Sequence, residues 1–233
     1  MRNVRNYSCR KEIPMSQNKK NERKNKKTGP EGRKLFSIPE VYGIYVKAFR
    51  GFKIVKKGRK SGAFDEKLQE RIMLAVTAVN KCAMCSYAHT EMALKAGLSN
   101  EEIMSFVGGE FPDMPAEEVK AVMFAQHYAD VRGRLDKGSW DELINEYGEE
   151  KAGYILAATR IIMMGNAMGI VFSSIRSRFK GEKNENGKRG DPRSSVFYEI
   201  LFVLCLLPVM LFGSLQAIIM NIFRVPFIKF KCD

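Results

Sequence analysis

The stretch from Ile200 to Phe223, ILFVLCLLPVMLFGSLQAIIMNIF, contains no charged residue. As an α-helix it would extend for about 36 Å, while the hydrocarbon core of a bilayer is about 30 Å thick. Such a helix has to be covered by lipid or by protein, and Pro208 near its middle is tolerated in membrane helices. We therefore predict a single transmembrane helix over residues 200–223, with a helix buried in an oligomer interface as the alternative.

The charges on either side of this run indicate its orientation. Residues 176–195 carry seven Lys or Arg residues, whereas the short basic tail, residues 224–233, carries three. Basic flanks tend to stay on the cytoplasmic side of a membrane. The first thirty residues also lack the apolar core of a signal peptide. We expect a single-pass protein whose folded part, joined to the helix by a polar linker over residues 182–199, is cytoplasmic.

The positive charge of the chain is concentrated at its N-terminus. The net charge is +13, and residues 1–63 contain 19 Lys or Arg against 4 Asp or Glu. Within residues 1–35, the stretch SQNKKNERKNKKTGPEGRK has no aliphatic residue and cannot bury enough surface to offset the ordering of its backbone. We predict a disordered basic arm that is solvated or contacts anionic membrane lipid. No aromatic residue interleaves its lysines, so we expect no specific nucleic-acid binding.

Between the arm and the apolar run, hydrophobic residues recur at helical spacing. One stripe begins with Ile38 and Val41, a second runs from Leu68 to Val79, and residues 149–181 form a long apolar helix without proline. No alternating strand pattern bounded by turn residues occurs in the sequence. The predicted fold class is therefore all-α, with one helical domain over residues 36–181.

Several residues predict where these helices begin and end. The second stripe should end near Asn80, and Gly97 should terminate the following helix. Ser99, with Glu102 three residues later, predicts a capping box. Ser139 is the predicted N-cap of a later short helix.

Two cysteines and one of the two histidines lie within eight residues, in KCAMCSYAHTE. On a helix, Cys82, Cys85 and His89 would share one face. If the preceding helix folds back on this one, Glu70 comes level with His89, because both lie about 14 Å from the turn between the helices. A carboxylate, an imidazole and a thiol in this order can move a proton. Cys85 would pass its proton to His89, while Cys82, near a helix N-terminus, is placed to close a disulfide.

The pattern Glu70, eleven residues, Cys82-Ala-Met-Cys85, three residues, His89 resembles the AhpD-like alkyl hydroperoxidase branch of the carboxymuconolactone decarboxylase superfamily. The resemblance covers residues 36–181 and includes LQERIMLAVTAVNKC and HTEMALKAGLSNEEI. It implies an all-helical domain that forms trimers or hexamers. It also implies dithiol–disulfide chemistry that reduces peroxides, or recycles a partner peroxidase, with electrons from a dithiol donor.

The resemblance further assigns roles to individual residues. It implies that Cys85 is the attacking thiolate, that Cys82 is the resolving cysteine, and that His89 and Glu70 relay the proton. Well-studied members have a second histidine immediately before the second cysteine, where this chain has Met84. The relay is then one group short, which affects direct peroxide reduction more than disulfide exchange.

Other interpretations of these residues stay open. Cys82, Cys85, His89 and Glu70 could ligate zinc, although three ligands on one rigid helix seldom reach tetrahedral geometry. His127 is predicted to be a core or interface histidine, not a catalytic one. Our main prediction is a membrane-anchored thiol oxidoreductase without metal or cofactor. The alternative is a non-catalytic membrane-tethered scaffold or zinc-binding module on the same fold.

Overall fold

The computed structural model describes residues 34–110, 112–183, 187 and 189–228, so most of the predicted basic arm lies outside the described residues. The described part of the chain contains seven helices and no β-strand. The all-α prediction is therefore confirmed. The helices are α1 (Ile38–Lys60), α2 (Glu66–Asn80), α3 (Ala83–Ala96), α4 (Asn100–Gly108), α5 (Ala116–Asp130), α6 (Lys137–Lys180) and α7 (Val196–Ile222).

The second part of α6 lies at the centre of the domain. Most of its side chains are buried, and Ile155, Leu156 and Ala157 are fully buried. Helices α1, α2, α3 and α5 pack around it. Both α6 and α7 are long and apolar enough to cross a membrane, but 72% of the apolar window of α6 is buried inside the protein, against 22% for α7. By its surroundings α6 is a core helix, and α7 is the helix left uncovered.

The predicted helix ends are partly confirmed. α2 ends at Asn80 and α3 is terminated by Gly97 in the left-handed conformation. Ser99 caps α4 by accepting a hydrogen bond from the backbone N–H of Glu102. The carboxylate of Glu102, however, accepts a hydrogen bond from Arg71 at 2.6 Å. The Glu102 side chain therefore pairs with Arg71 and not with the backbone N–H of Ser99, as a capping box would require. A buried guanidinium is a stronger partner for a carboxylate than an exposed amide.

Two further expectations near the start of α6 need correction. The N-cap is Asp136, whose carboxylate accepts a hydrogen bond from the backbone of Ser139, so Ser139 is not the cap. His127 is exposed and lies 3.3 Å from Asp136, so a place in the core is wrong, while a place in an oligomer interface stays a prediction. Gly148, at φ 74°, interrupts α6 and divides it into the two helices that the sequence predicts.

α7 begins at Val196 and lies along the domain, with both of its ends held there. At its start, the buried carboxylate of Glu199 accepts hydrogen bonds from Arg178 at 2.9 Å and Ser174 at 2.6 Å. At its end, Arg50 of α1 donates to the side-chain oxygen of Asn221 at 2.9 Å. The buried face of α7 packs on α1, while its other face is apolar and exposed.

Replacing Glu40 with glutamine is expected to reduce the free energy of unfolding at neutral pH by about 1 kcal/mol. Glu40 accepts two hydrogen bonds from Arg132, which lower the pKa of Glu40 to about 2. Because the pKa is depressed in the folded state, this stabilisation is complete above the ordinary value of 4.5 and is lost as the pH falls toward 2. The Glu40 side chain is 42% exposed, so solvent screening keeps the effect small.

Urea unfolding at neutral and acidic pH measures this effect. The variant should lose stability at neutral pH and show a flatter decline below pH 4.5. Glu149→Gln, at an exposed position of α6, is the matched control and should behave like the parent. If the stability of Glu40→Gln fell at acidic pH in the same way as that of the parent, the contact with Arg132 would not stabilise the fold.

Candidate functional site

A tight corner between α2 and α3 carries the two cysteines. α2 stops where Lys81 adopts the left-handed conformation (φ 54°, ψ 55°), which is uncommon for a residue other than glycine. The chain then reverses, and Cys82 becomes the N-cap of α3. Its sulfur accepts a hydrogen bond from the backbone N–H of Cys85 at 3.3 Å. The Cα atoms of the two cysteines are 5.3 Å apart, and their sulfurs are joined as a disulfide.

The reversal also brings Glu70 of α2 against His89 of α3. The Nδ1 atom of His89 lies 2.8 Å from a carboxylate oxygen of Glu70, so the predicted proximity is observed. Glu70 is buried and His89 is partly buried. Water therefore competes little for this contact, which fixes the orientation of the imidazole ring. No hydrogen bond among the described residues joins His89 to either sulfur. Only the carboxylate–imidazole half of the predicted relay is formed in this oxidised state.

α6 passes directly beneath the disulfide at Gly169. A Cβ atom at this position would lie 2.7 Å from the sulfur of Cys82 and 2.7 Å from that of Cys85. Only glycine therefore fits there without a shift of the sulfurs or the helix. The terminal methyl of Met84 lies 3.4 Å from the same point, and Met84 is otherwise half-exposed. Met84 thus lies beside the sulfurs as a polarisable apolar cover and offers no proton.

An open groove of about 650 Å³ adjoins the corner on the Cys82 side. Most of its wall is apolar, and Lys81 contributes the one cationic side chain among the described lining residues. A hydrogen bond to Glu91 raises the pKa of Tyr87, whose exposed phenol lies at the rim of the groove. The groove can admit a substrate larger than hydrogen peroxide to the cysteine corner. Its main lining residues are Leu74, Ala78, Lys81, Ser86, Tyr87 and Met104.

The segment before α7 supports the same corner from outside. Arg193 donates hydrogen bonds to the carbonyl oxygens of Asn80 at 3.0 Å and Lys81 at 3.1 Å. It also pairs with Asp191 at 2.7 Å. Burial opposes the charge of Asp191, but the hydrogen bonds from Arg193 outweigh it and lower the pKa of Asp191. Arg193 therefore binds the two carbonyls that immediately precede Cys82.

Sequence reasoning pointed to Glu70, Cys82, Cys85 and His89, which the structure places at one helical corner, but it did not point to Gly169 or Arg193. A glycine within an apolar helix and an arginine in a turn-rich linker have no local pattern that points to a site. As to the zinc alternative, the described residues contain no group of three or more His, Cys, Asp or Glu side chains arranged to hold a metal ion.

The site thus combines a paired Cys-x-x-Cys corner with a carboxylate–imidazole contact on an all-helical scaffold. The model of the carboxymuconolactone decarboxylase family matches residues 47–127, from within α1 to within α5. This match includes the four predicted site residues and supports the superfamily to which the sequence pattern pointed. Gly169, Arg193 and α7 lie outside the matched segment. No curated protein and no solved structure matches the chain.

Proposed function

We propose that the protein is a membrane-associated thiol oxidoreductase of the AhpD-like type, in which Cys82 and Cys85 alternate between dithiol and disulfide. One observation carries the proposal: the joined cysteine pair lies at the same helical corner as the Glu70–His89 contact. A dithiol beside an oriented imidazole is suited to thiol exchange and proton transfer.

In the proposed cycle the reduced protein is the electron donor to a peroxide. The Cys85 thiolate attacks a peroxide oxygen, the O–O bond breaks, and the alcohol leaves with a proton, which gives a sulfenic acid on Cys85. The Cys82 thiol then attacks that sulfur, water leaves, and the disulfide forms. A dithiol donor returns two electrons and two protons by exchange. With a partner peroxidase, the partner's disulfide takes the place of the peroxide, and exchange alone transfers the two electrons.

His89 and Glu70 act on the proton of the attacking thiol. In the reduced protein His89, one turn after Cys85 on α3, accepts the thiol proton, which raises the fraction of thiolate. Glu70 is a positioning residue, because it holds the ring through Nδ1 and stabilises the imidazolium that forms. Met84 supplies no second proton carrier, so exchange with a disulfide should be faster than direct reduction of a peroxide.

The apolar length of α7 supports association of the protein with a membrane. A single membrane pass with the redox domain in the cytoplasm stays a prediction. Such a pass would require α7 to leave the contacts of Glu199 and Asn221, which hold its two ends on the domain. Assembly into trimers or hexamers also stays a prediction, which light scattering of the purified protein checks.

Replacing His89 with alanine is expected to slow alkylation of Cys85 in the reduced protein about tenfold at neutral pH, because the thiol loses its proton acceptor. Glu70→Gln should have a smaller effect in the same direction. Iodoacetamide modification of Cys85, followed by mass spectrometry across a pH series, measures both. His127→Ala removes an exposed histidine far along the chain and should match the parent.

The parent protein, reduced by dithiothreitol, should also turn over cumene hydroperoxide or a small disulfide. Alkylation of His89→Ala at the parental rate would exclude the relay. Stoichiometric zinc in the purified protein together with no turnover would support the alternative of a zinc-binding module.

A further inference from the structure

One face of α7, its outer face, carries exposed apolar side chains along the whole helix. Five of its side chains are between 67% and 78% exposed and recur along one side of the helix, and Phe223, directly after the helix, is 76% exposed. The helix is about 40 Å long, so this face is a continuous apolar strip. We define the outer face by Phe197, Leu204, Leu207, Leu211, Ile222 and Phe223.

The opposite side of α7 is fixed to the domain over its whole length. Beyond the contacts of Glu199 and Asn221, the helix is held near its middle. The hydroxyls of Tyr45 and Ser214 lie 2.9 Å apart, and a Cβ atom on Gly213 would lie 2.7 Å from the ring of Tyr45. The glycine therefore allows α7 to approach α1 closely. The two helices form one packed unit.

This packing determines how α7 can meet a bilayer. If the docked helix crossed the membrane, α1 would enter the hydrocarbon with it. α1 carries Lys47, Arg50, Lys53, Lys56 and Lys57, and each of these charges is costly at the centre of a bilayer. If α7 instead lies in the plane of the membrane surface, only the outer face enters the hydrocarbon and the charges of α1 remain outside it.

Positive charge surrounds the ends of the outer face. Arg224 is exposed at the C-terminal end, and Arg176 and Lys180 are exposed in the last turns of α6, next to the Arg178 that binds Glu199. In the sequence, residues 1–33, which lie outside the described part of the chain, carry eleven Lys or Arg against three Asp or Glu. The net charge of +13 also makes an anionic surface a more favourable partner than a neutral one. An anionic lipid surface would attract this charge.

We propose that α7, in its docked form, lies in the plane of an anionic membrane and inserts its outer face between the lipid acyl chains. The protein is then held on one leaflet, and the redox domain and the C-terminus are on the same side. Arg176, Lys180 and Arg224 lie at the level of the headgroups. This attachment does not require the cysteine corner to be redox-active.

Flotation of the purified full chain with vesicles tests the proposal. Binding should be strong to phosphatidylcholine mixed with phosphatidylglycerol and at least about tenfold weaker to phosphatidylcholine alone, and it should weaken with salt. Leu207→Glu and Leu204→Glu should each reduce binding about tenfold or more, because each places a carboxylate where the bound protein inserts an apolar side chain into the lipid. Met123→Glu, at another exposed apolar side chain on α5, is the matched control and should bind like the parent.

Protease protection of a C-terminal epitope in spheroplasts separates in-plane attachment from a crossing. An epitope on the same side as the redox domain supports the proposal, and an epitope on the opposite side overturns it. Absence of vesicle binding, with self-association that Leu207→Glu abolishes, also overturns it and assigns the outer face to a second copy. Dithiothreitol-dependent turnover, measured on the same variants, reports on the proposed activity separately.

Discussion

Replacing Cys85 with serine is expected to reduce dithiol-dependent turnover by about a hundredfold or more. A serine hydroxyl is not ionised near neutral pH and cannot form a disulfide, so both the attack and the closure of the cycle are lost. Cys82→Ser should block a different step of the cycle. Cys85 still attacks once, and the reaction then stops at a sulfenic acid or a mixed disulfide. Initial rates, together with the mass of the protein after one turnover, measure both effects.

Cys205 provides the matched control for these substitutions. It is a free cysteine on α7, half-buried and outside the corner between α2 and α3. Cys205→Ser should leave turnover unchanged. Parental turnover by Cys85→Ser would show that the pair does not act as a dithiol, even if Cys82 reacts alone.

Replacing Gly169 with alanine is expected to destabilise the oxidised protein by about 1.4 kcal/mol more than the reduced protein. The added methyl would lie 2.7 Å from both sulfurs, and a closed disulfide cannot move them apart from it. Free thiols can rotate away independently. The disulfide should therefore become easier to reduce, with a midpoint potential about 30 mV more positive. Equilibration with glutathione buffers, followed by thiol trapping, measures this potential.

Gly165, one turn earlier on α6, gives a control within the same helix. Its added methyl would meet only the side chain of Ile162, at an ordinary distance of 3.7 Å. Gly165→Ala should leave the potential unchanged and should slightly stabilise the helix, since alanine favours helix over glycine. Equal potentials for Gly169→Ala and the parent would mean that α6 yields to the methyl and does not constrain the sulfurs.

The helices and the predicted site residues follow from local sequence. Apolar spacing of three and four residues determines which face of each helix is buried, so the all-α class follows without long-range information. The proximity of Glu70 and His89 also follows from nearby sequence. A single turn separates their helices, and equal distances from that turn bring them level once the chain reverses.

The remaining features depend on residues far apart in the chain. Gly169 meets the sulfurs only because α6 passes under the corner, and Arg193 reaches carbonyls more than one hundred residues earlier. The sequence predicts a capping box at Glu102, but the carboxylate of Glu102 pairs with Arg71 of another helix. The apolar run around Pro208 predicts a helix that lipid or protein must cover. The run itself does not show that one face of this helix packs on α1.

The hydrogen bonds of Arg193 have a thermodynamic consequence. Its guanidinium joins the segment that leads into α7 to the two peptide groups before Cys82. Any displacement of those peptides between the dithiol and disulfide forms alters the strength of these bonds. By linkage, the same free energy appears in the redox equilibrium of the cysteines and in the packing of the segment before α7 on the domain. An influence of either process on the other is therefore reciprocal, equal in size in both directions.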